Sequence, residues 1–139
     1  MERAEQLKRH FKEEYPDALE PHVCRAPGRI NLLGEHVDYN GLPVLPITTQ
    51  CDIRIAFAPS ANSVVRMRDR DAEYPPSEFL NGHEIVPSPR GCWDNYCKAA
   101  IQGLNRHFGT STFPGMDIFV AGDIPVAVGL SSSSALVVG

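Results

Sequence analysis

No stretch of this 139-residue chain approaches the roughly 18 consecutive apolar residues of a membrane-spanning helix, so no membrane partner is expected. Positive charge is also scarce. Thirteen Lys and Arg against 17 Asp and Glu leave a net charge of -4, and the basic residues form no stripe. That removes the electrostatic footprint of a nucleic-acid-binding protein, and no nucleic-acid partner is expected. Any phosphate-bearing ligand needs a local site instead. Cys24, Cys51, Cys92 and Cys97 have neither C-x-x-C spacing nor clustered histidines, which excludes the common zinc and dithiol patterns. The N-terminal Met1-Glu2-Arg3-Ala4-Glu5-Gln6 is charged with no apolar segment behind it, so no secretory signal and a reduced, cytoplasmic protein are expected. Repeats are absent, and the only low-complexity tract is a short serine run. With 42% hydrophobic and 22% charged residues, the composition is that of an ordinary globular protein with a real core.

The pattern along the chain interleaves helices and strands. Leu7, His10, Phe11 and Glu14 predict a helix over 3–14, closed where Pro16 pushes Tyr15 out of the helical region. Residues 20–26 read as the approach to a strand and 29–33 as a second short strand. Alternation through Ile53, Ile55 and Phe57 predicts a strand within 43–57, and residues 62–68 alternate again. Arg66, Arg68 and Arg70 are expected to face solvent, neutralised by Asp69, Asp71 and Glu73. Residues 73–91, rich in Pro, Ser, Asn and Gly, read as loop. The clearest helix is 92–108, where Trp93, Tyr96, Cys97, Ala100, Ile101, Leu104 and Phe108 recur at three and four, with Gly109 as the stop. A strand follows over 115–121. The pattern argues for a two-layer α/β or α+β unit. The final helical stretch from Ser131 ends after roughly two turns, short for a stable helix, so the chain reads as part of something larger.

Two segments carry chemistry. The first is Ala26-Pro27-Gly28-Arg29-Ile30-Asn31-Leu32-Leu33-Gly34-Glu35-His36-Val37-Asp38-Tyr39-Asn40-Gly41. It sets Glu35, His36 and Asp38 directly after a short apolar run. A buried strand does not carry unpaired carboxylates, because desolvating them costs far more than packing returns. One reading is a strand that ends in a polar turn. The sharper one is a rigid strand end presenting carboxylates and an imidazole to a polyhydroxylated ligand. The second segment is Pro125-Val126-Ala127-Val128-Gly129-Leu130-Ser131-Ser132-Ser133-Ser134-Ala135, between a strand and the last helix. Gly129 permits positive φ, and serine caps helix N-termini. The free first-turn N–H groups of a helix favour an anion such as a nucleotide phosphate. A serine hydroxyl can complete the shell of a phosphate-held Mg²⁺. Serine runs also cap ordinary helices, and the segment is not a P-loop, since it lacks the lysine.

Together these segments resemble the GHMP kinase superfamily, and the first is similar to the galactokinase signature A-P-G-R-x-N-L-I-G-E-H-x-D-Y-x-G, with Leu33 for isoleucine. Pro43, Val44, Pro46 and Ile47 continue the likeness. Trp93-Asp94-Asn95-Tyr96 is similar to the family's W-x-N-Y helix start, and Pro125 to Val137 lies over its P-x-G-x-G-L-S-S-S-A-A-L-E phosphate motif. The resemblance implies the N-terminal GHMP kinase domain, a ribosomal protein S5 domain 2-like fold spanning 1–139, incomplete and without its C-terminal part. It also implies an ATP-dependent sugar kinase that transfers the γ-phosphate to the anomeric C1 hydroxyl of α-D-galactose. Arg29 would neutralise charge near the transferred group. Glu35, His36 and Asp38 would hold the sugar. Gly129, Leu130, Ser131, Ser132, Ser133 and Ser134 would hold ATP, with Ser132 on Mg²⁺. The expected partners are galactose and ATP, and the full-length protein is expected to be monomeric.

The chain departs from the family at Ala127, which replaces the first glycine of that motif and would be strained at positive φ, at Ser134, which replaces an alanine, and at Val137, which replaces a glutamate. The family's catalytic aspartate falls beyond Gly139, so the 139 residues alone are expected to be inactive. A kinase for a related sugar such as N-acetylgalactosamine, and a non-catalytic galactose and ATP sensor, are the alternatives.

Overall fold

A computed structural model describes residues 2–34, 36–109, 114–126 and 129–139, with the side chains of all of these except Glu2 and Asp38. The elements run α1 (Glu2–Glu14), β1 (His22–Leu33), a 3₁₀ turn (Asp38–Asn40), β2 (Leu45–Pro59), β3 (Val64–Asp69), β4 (Ser77–Leu80), α2 (Asp94–Phe108), β5 (Met116–Gly122) and α3 (Ser132–Val138). The strands form one sheet in the order β1-β2-β5-β3-β4. Its pairs are antiparallel except β3 with β5, which lie parallel because the chain crosses over through α2 between them.

Strand alternation decides which side chains meet which helices. Ile53 and Ile55 of β2, Val65 and Met67 of β3, and Ile118 and Val120 of β5 pack with Trp93 just before α2, Cys97 of α2 and Ala135 of α3. Ala56, Ala58 and Phe119 point to the reverse face, where Leu7 and Phe11 of α1 cover them together with Tyr15. The α/β two-layer arrangement with the GHMP N-terminal, ribosomal protein S5 domain 2-like architecture is thus what the chain adopts, with α1 laid across the reverse side of the sheet. Among the described residues no helix is long and apolar enough to cross a membrane. All four cysteines are unpaired, and burial pushes the Cys97 thiol up to about 12.

Four details depart from expectation. The two short strands foreseen over 20–33 are one strand, β1, because Pro27-Gly28 makes a bulge and not a break. The segment 73–91 is mostly loop but contains β4. Arg66 does not simply face solvent. Alternation turns it to the α1 face, where Nε and Nη2 donate to the buried Asp117 carboxylate at 2.6 and 2.8 Å, with the guanidinium 5.2 Å from the Tyr15 ring centre. The buried stripe of α2 runs through Cys97, Lys98 and Asn105, while Leu104 and Phe108 are exposed. Asn105 faces inward because its Nδ2 donates to the Asn81 side chain and the Gly82 carbonyl. The stop at Gly109 is as expected, in the left-handed conformation at φ 64°.

The start of α2 is fixed by a buried ionic knot. Asp94 Oδ2 accepts from Ser77 Oγ and Ser88 Oγ, both at 2.7 Å, and pairs with Lys98 Nζ at 3.0 Å. Burial raises the carboxyl's pKa, but the hydrogen bonds from Ser88, Ser77 and Lys98 outweigh it and hold the group below its ordinary value of 3.8. A depressed folded-state value means that this stabilisation is full above about pH 5 and is lost as pH falls through that value. Asp94→Ala should destabilise the fold by about 3 kcal/mol, because Lys98 loses its buried partner. Urea titrations between about pH 3 and pH 7 should show a shallower acid loss for Asp94→Asn than for the parent.

Candidate functional site

The face of the sheet that carries α2 and α3 holds a cavity of about 730 Å³. That is the size class of small-molecule sites. Arg29 reaches it from β1, where the strand pairing jumps from Pro27–Asp52 to Arg29–Thr48. The Arg29 backbone N–H leaves the ladder and donates to the Leu130 carbonyl at 3.2 Å. Among the described residues the Arg29 guanidinium has no carboxylate within ion-pair distance, whereas Arg3, Arg25, Arg54 and Arg66 are each paired with an aspartate on the other face.

The serine segment lines the same cavity from Gly129 to Ser134. Gly129 sits at φ 78° and Ser131 at φ 59°, both left-handed. For serine that conformation costs about 1–2 kcal/mol, strain of the kind that collects at ligand-binding loops. The serine run was expected to suit a helix N-cap, yet Ser131, at that position of α3, makes no side-chain cap bond; only its carbonyl enters the helix, accepting from Ala135 N at 2.9 Å. Among the described residues no protein group engages the hydroxyls of Ser131, Ser132, Ser133 or Ser134. They remain free to meet a ligand. The expected strain at Ala127 lies outside the described residues.

The rest of the lining was not foreseen as a site. Tyr74, Trp93 and Tyr96 contribute aromatic surface, and Asp69 and Asp71 contribute carboxylates. Trp93 is fixed by its indole N–H, which donates to the Pro75 carbonyl at 2.9 Å, and by an edge-on contact with Tyr74 at 6.1 Å. Burial pushes both the Tyr74 hydroxyl and the Asp69 carboxyl up from their ordinary values. One signal was available. Asp69 continues the inward series Val65, Met67, and a carboxylate in a core-facing position asks for a reason.

Of the sugar-side candidates, only the His36 side chain is among the described residues. Gly34 at φ 83° ends β1 and turns the chain into the segment 36–41, where Asn40 N and Leu42 N both donate to the Val37 carbonyl. His36 is exposed at φ 59°, with its ring 6.3 Å from that of Tyr39, and it does not line the cavity. Glu35 and the Asp38 side chain lie outside the described residues. The structure therefore joins Arg29 to the serine segment in one cavity and places His36 outside its lining.

Two sequence families match this chain. Residues 9–59 match the galactokinase galactose-binding signature, and residues 95–139 match the GHMP kinases N terminal domain. A galactokinase from Lactococcus lactis, solved in complex with galactose, superposes with a TM-score of 0.82 at 31% identity over 96% of this chain. The chain belongs to the GHMP kinase superfamily and is a galactokinase-like N-terminal domain. That superfamily comprises ATP-dependent kinases. This chain spans about a third of the galactokinase's length, 34%. The fold is shared more widely. Mevalonate kinase from Methanococcus jannaschii has a TM-score of 0.72 at 20% identity over 86% of this chain and 38% of its own. A D-glycero-D-manno-heptose 1-phosphate kinase from Bacteroides thetaiotaomicron has 0.66 at 20% identity over 84% and 38%.

Among the described residues no group of three or more His, Cys, Asp or Glu side chains could hold a metal ion. A Mg²⁺ carried by nucleotide phosphates asks for only one or two protein oxygens, and the cavity lining includes the Asp69 and Asp71 carboxylates beside the serine hydroxyls.

The tightest steric constraint in the turn is Gly34. A Cβ there would lie 2.8 Å from the Pro43 carbonyl and 2.9 Å from Val44 Cγ1, at a φ unfavourable for alanine. Gly34→Ala should cost about 2–4 kcal/mol from backbone strain and overpacking, read as a lowered midpoint in chemical denaturation.

Proposed function

We propose that this chain carries the nucleotide and sugar sites of a galactokinase, which moves the ATP γ-phosphate to the anomeric C1 hydroxyl of α-D-galactose. The observation that carries this reading is Arg29, an arginine with no ion-pair partner among the described residues, in one cavity with the left-handed serine segment. Phosphoryl transfer asks the protein mainly for position and for positive charge at the equatorial oxygens. Arg29 supplies that charge. Gly129 to Ser134 take the ATP phosphates through backbone N–H groups and free hydroxyls, and Ser132 gives an oxygen to the Mg²⁺ they carry. Bound Mg²⁺ would neutralise phosphate charge. The aromatic wall of Tyr74, Trp93 and Tyr96 offers a flat surface suited to the nucleobase.

Glu35, His36 and Asp38 take the sugar. Carboxylates and imidazole pair with vicinal hydroxyls, and groups left unpaired by the wrong stereochemistry reject other sugars. Their position on the turn after β1 makes the strand that carries Arg29 the link between the two substrates. The group that accepts the sugar proton lies outside these 139 residues in this reading, in the C-terminal part of a two-part enzyme.

In the full-length protein, Asp38→Ala should weaken galactose binding about ten- to a hundredfold, the loss of one charged hydrogen-bond partner. Calorimetric affinity for a non-hydrolysable ATP analogue should stay within about twofold of the parent. Equal loss of both affinities would assign Asp38 to the fold and contradict its role at the sugar.

A further inference from the structure

We propose that Gly28 is a positioning residue: it leaves room for the Leu130 carbonyl to dock on β1, and this contact sets the serine segment in register with Arg29. The proposal rests on the nucleotide reading of the cavity. Between the pairs Pro27–Asp52 and Arg29–Thr48, Gly28 of β1 faces Thr49, Gln50 and Cys51 of β2. That bulge frees the Arg29 N–H from the sheet and turns it to Leu130. Gly28 is not in the left-handed region, so glycine is needed there for space and not for φ. A Cβ at Gly28 would lie 2.7 Å from Thr49 Oγ1, 3.1 Å from the Leu130 carbonyl oxygen and 3.4 Å from Ile124 Cδ1.

These contacts differ in what they can yield. The Thr49 hydroxyl is held by donation to the Cys51 carbonyl at 3.0 Å, but it is a side-chain atom that substitution can remove. The Leu130 oxygen is backbone. It belongs to the residue directly before left-handed Ser131, and the same oxygen receives the Arg29 N–H. Moving it shifts the start of the serine segment and stretches its bond to the strand that presents the guanidinium. Phosphoryl transfer depends on holding such groups to within about half an ångström of productive geometry.

The test compares Gly28→Ala, Thr49→Ala and the double variant, with two readouts: amide hydrogen exchange at residues 29, 135 and 139, whose N–H groups donate to the Leu130, Ser131 and Ala135 carbonyls, and affinity for a non-hydrolysable ATP analogue with Mg²⁺. Gly28→Ala should accelerate exchange at these amides at least about tenfold and weaken the analogue by about the same factor, while Thr49→Ala leaves both near the parent. The double variant should keep the defect, because removing the hydroxyl does not move the Leu130 oxygen. Restoration by Thr49→Ala, or unchanged exchange in Gly28→Ala, would overturn the proposal. Should Gly28→Ala fail to fold, an amide-to-ester replacement between Gly28 and Arg29 deletes the N–H donor without adding a Cβ. It should speed exchange at residues 135 and 139 in the same way, and unchanged protection there would overturn the proposal. Exchange reads docking without ligand, so a parent that ignores the ATP analogue contradicts the nucleotide reading and leaves the exchange comparison standing as the test of docking.

Discussion

One backbone hydrogen bond, from Arg29 N–H to the Leu130 carbonyl, joins the early and late parts of the chain at the cavity. It exists because β5 enters the sheet beside β2, which brings the segment after β5 over the bulge in β1. Everything assigned to phosphate chemistry hangs from this contact. On one side is the arginine at the strand bulge. On the other is a serine segment that runs into a seven-residue helix, too short to be stable alone and held by the packing of Ala135 in the core.

The two faces of the sheet divide the arginines by function. On the α1 face, Asp52 and Asp117 are almost completely buried, and they gather Arg25, Arg54 and Arg66. Buried carboxylates without those partners would be costly, so this face is organised for structure. On the cavity face, Arg29 has no ion-pair partner among the described residues and shares the lining with the Asp69 and Asp71 carboxylates. An unpaired guanidinium attracts a phosphate entering the cavity more strongly than one already held by a carboxylate.

Much of this was legible in the sequence. The helix over 92–108 and its stop at Gly109, the strand through Ile53 and Ile55, and the two motif segments all follow from local periodicity and turn chemistry. What was missed depended on partners far along the chain. Arg66 looks solvent-facing until Asp117 arrives beside it on β5. Pro27-Gly28 looks like a break until β2 supplies the three residues that complete a bulge. The serine run reads as a source of side-chain caps, but at left-handed Ser131 the carbonyl and not the hydroxyl links to the helix. Trp93 and Tyr96 read as the apolar stripe of α2; only the packing against β3 and β5 shows that they, with Tyr74, wall a cavity.

In the proposed reading, the cavity shared by Arg29 and the serine segment takes the nucleotide. The sequence contains one tryptophan, Trp93, and it lines that cavity, so its fluorescence reports occupancy without a label. Titrating the protein with ATP and Mg²⁺ should give a saturable change in Trp93 emission, weakened at least about tenfold in affinity by Arg29→Ala, as expected for loss of a charge-assisted contact to phosphate. Emission that stays flat across a titration in which calorimetry detects nucleotide binding would place the nucleotide elsewhere and contradict the account.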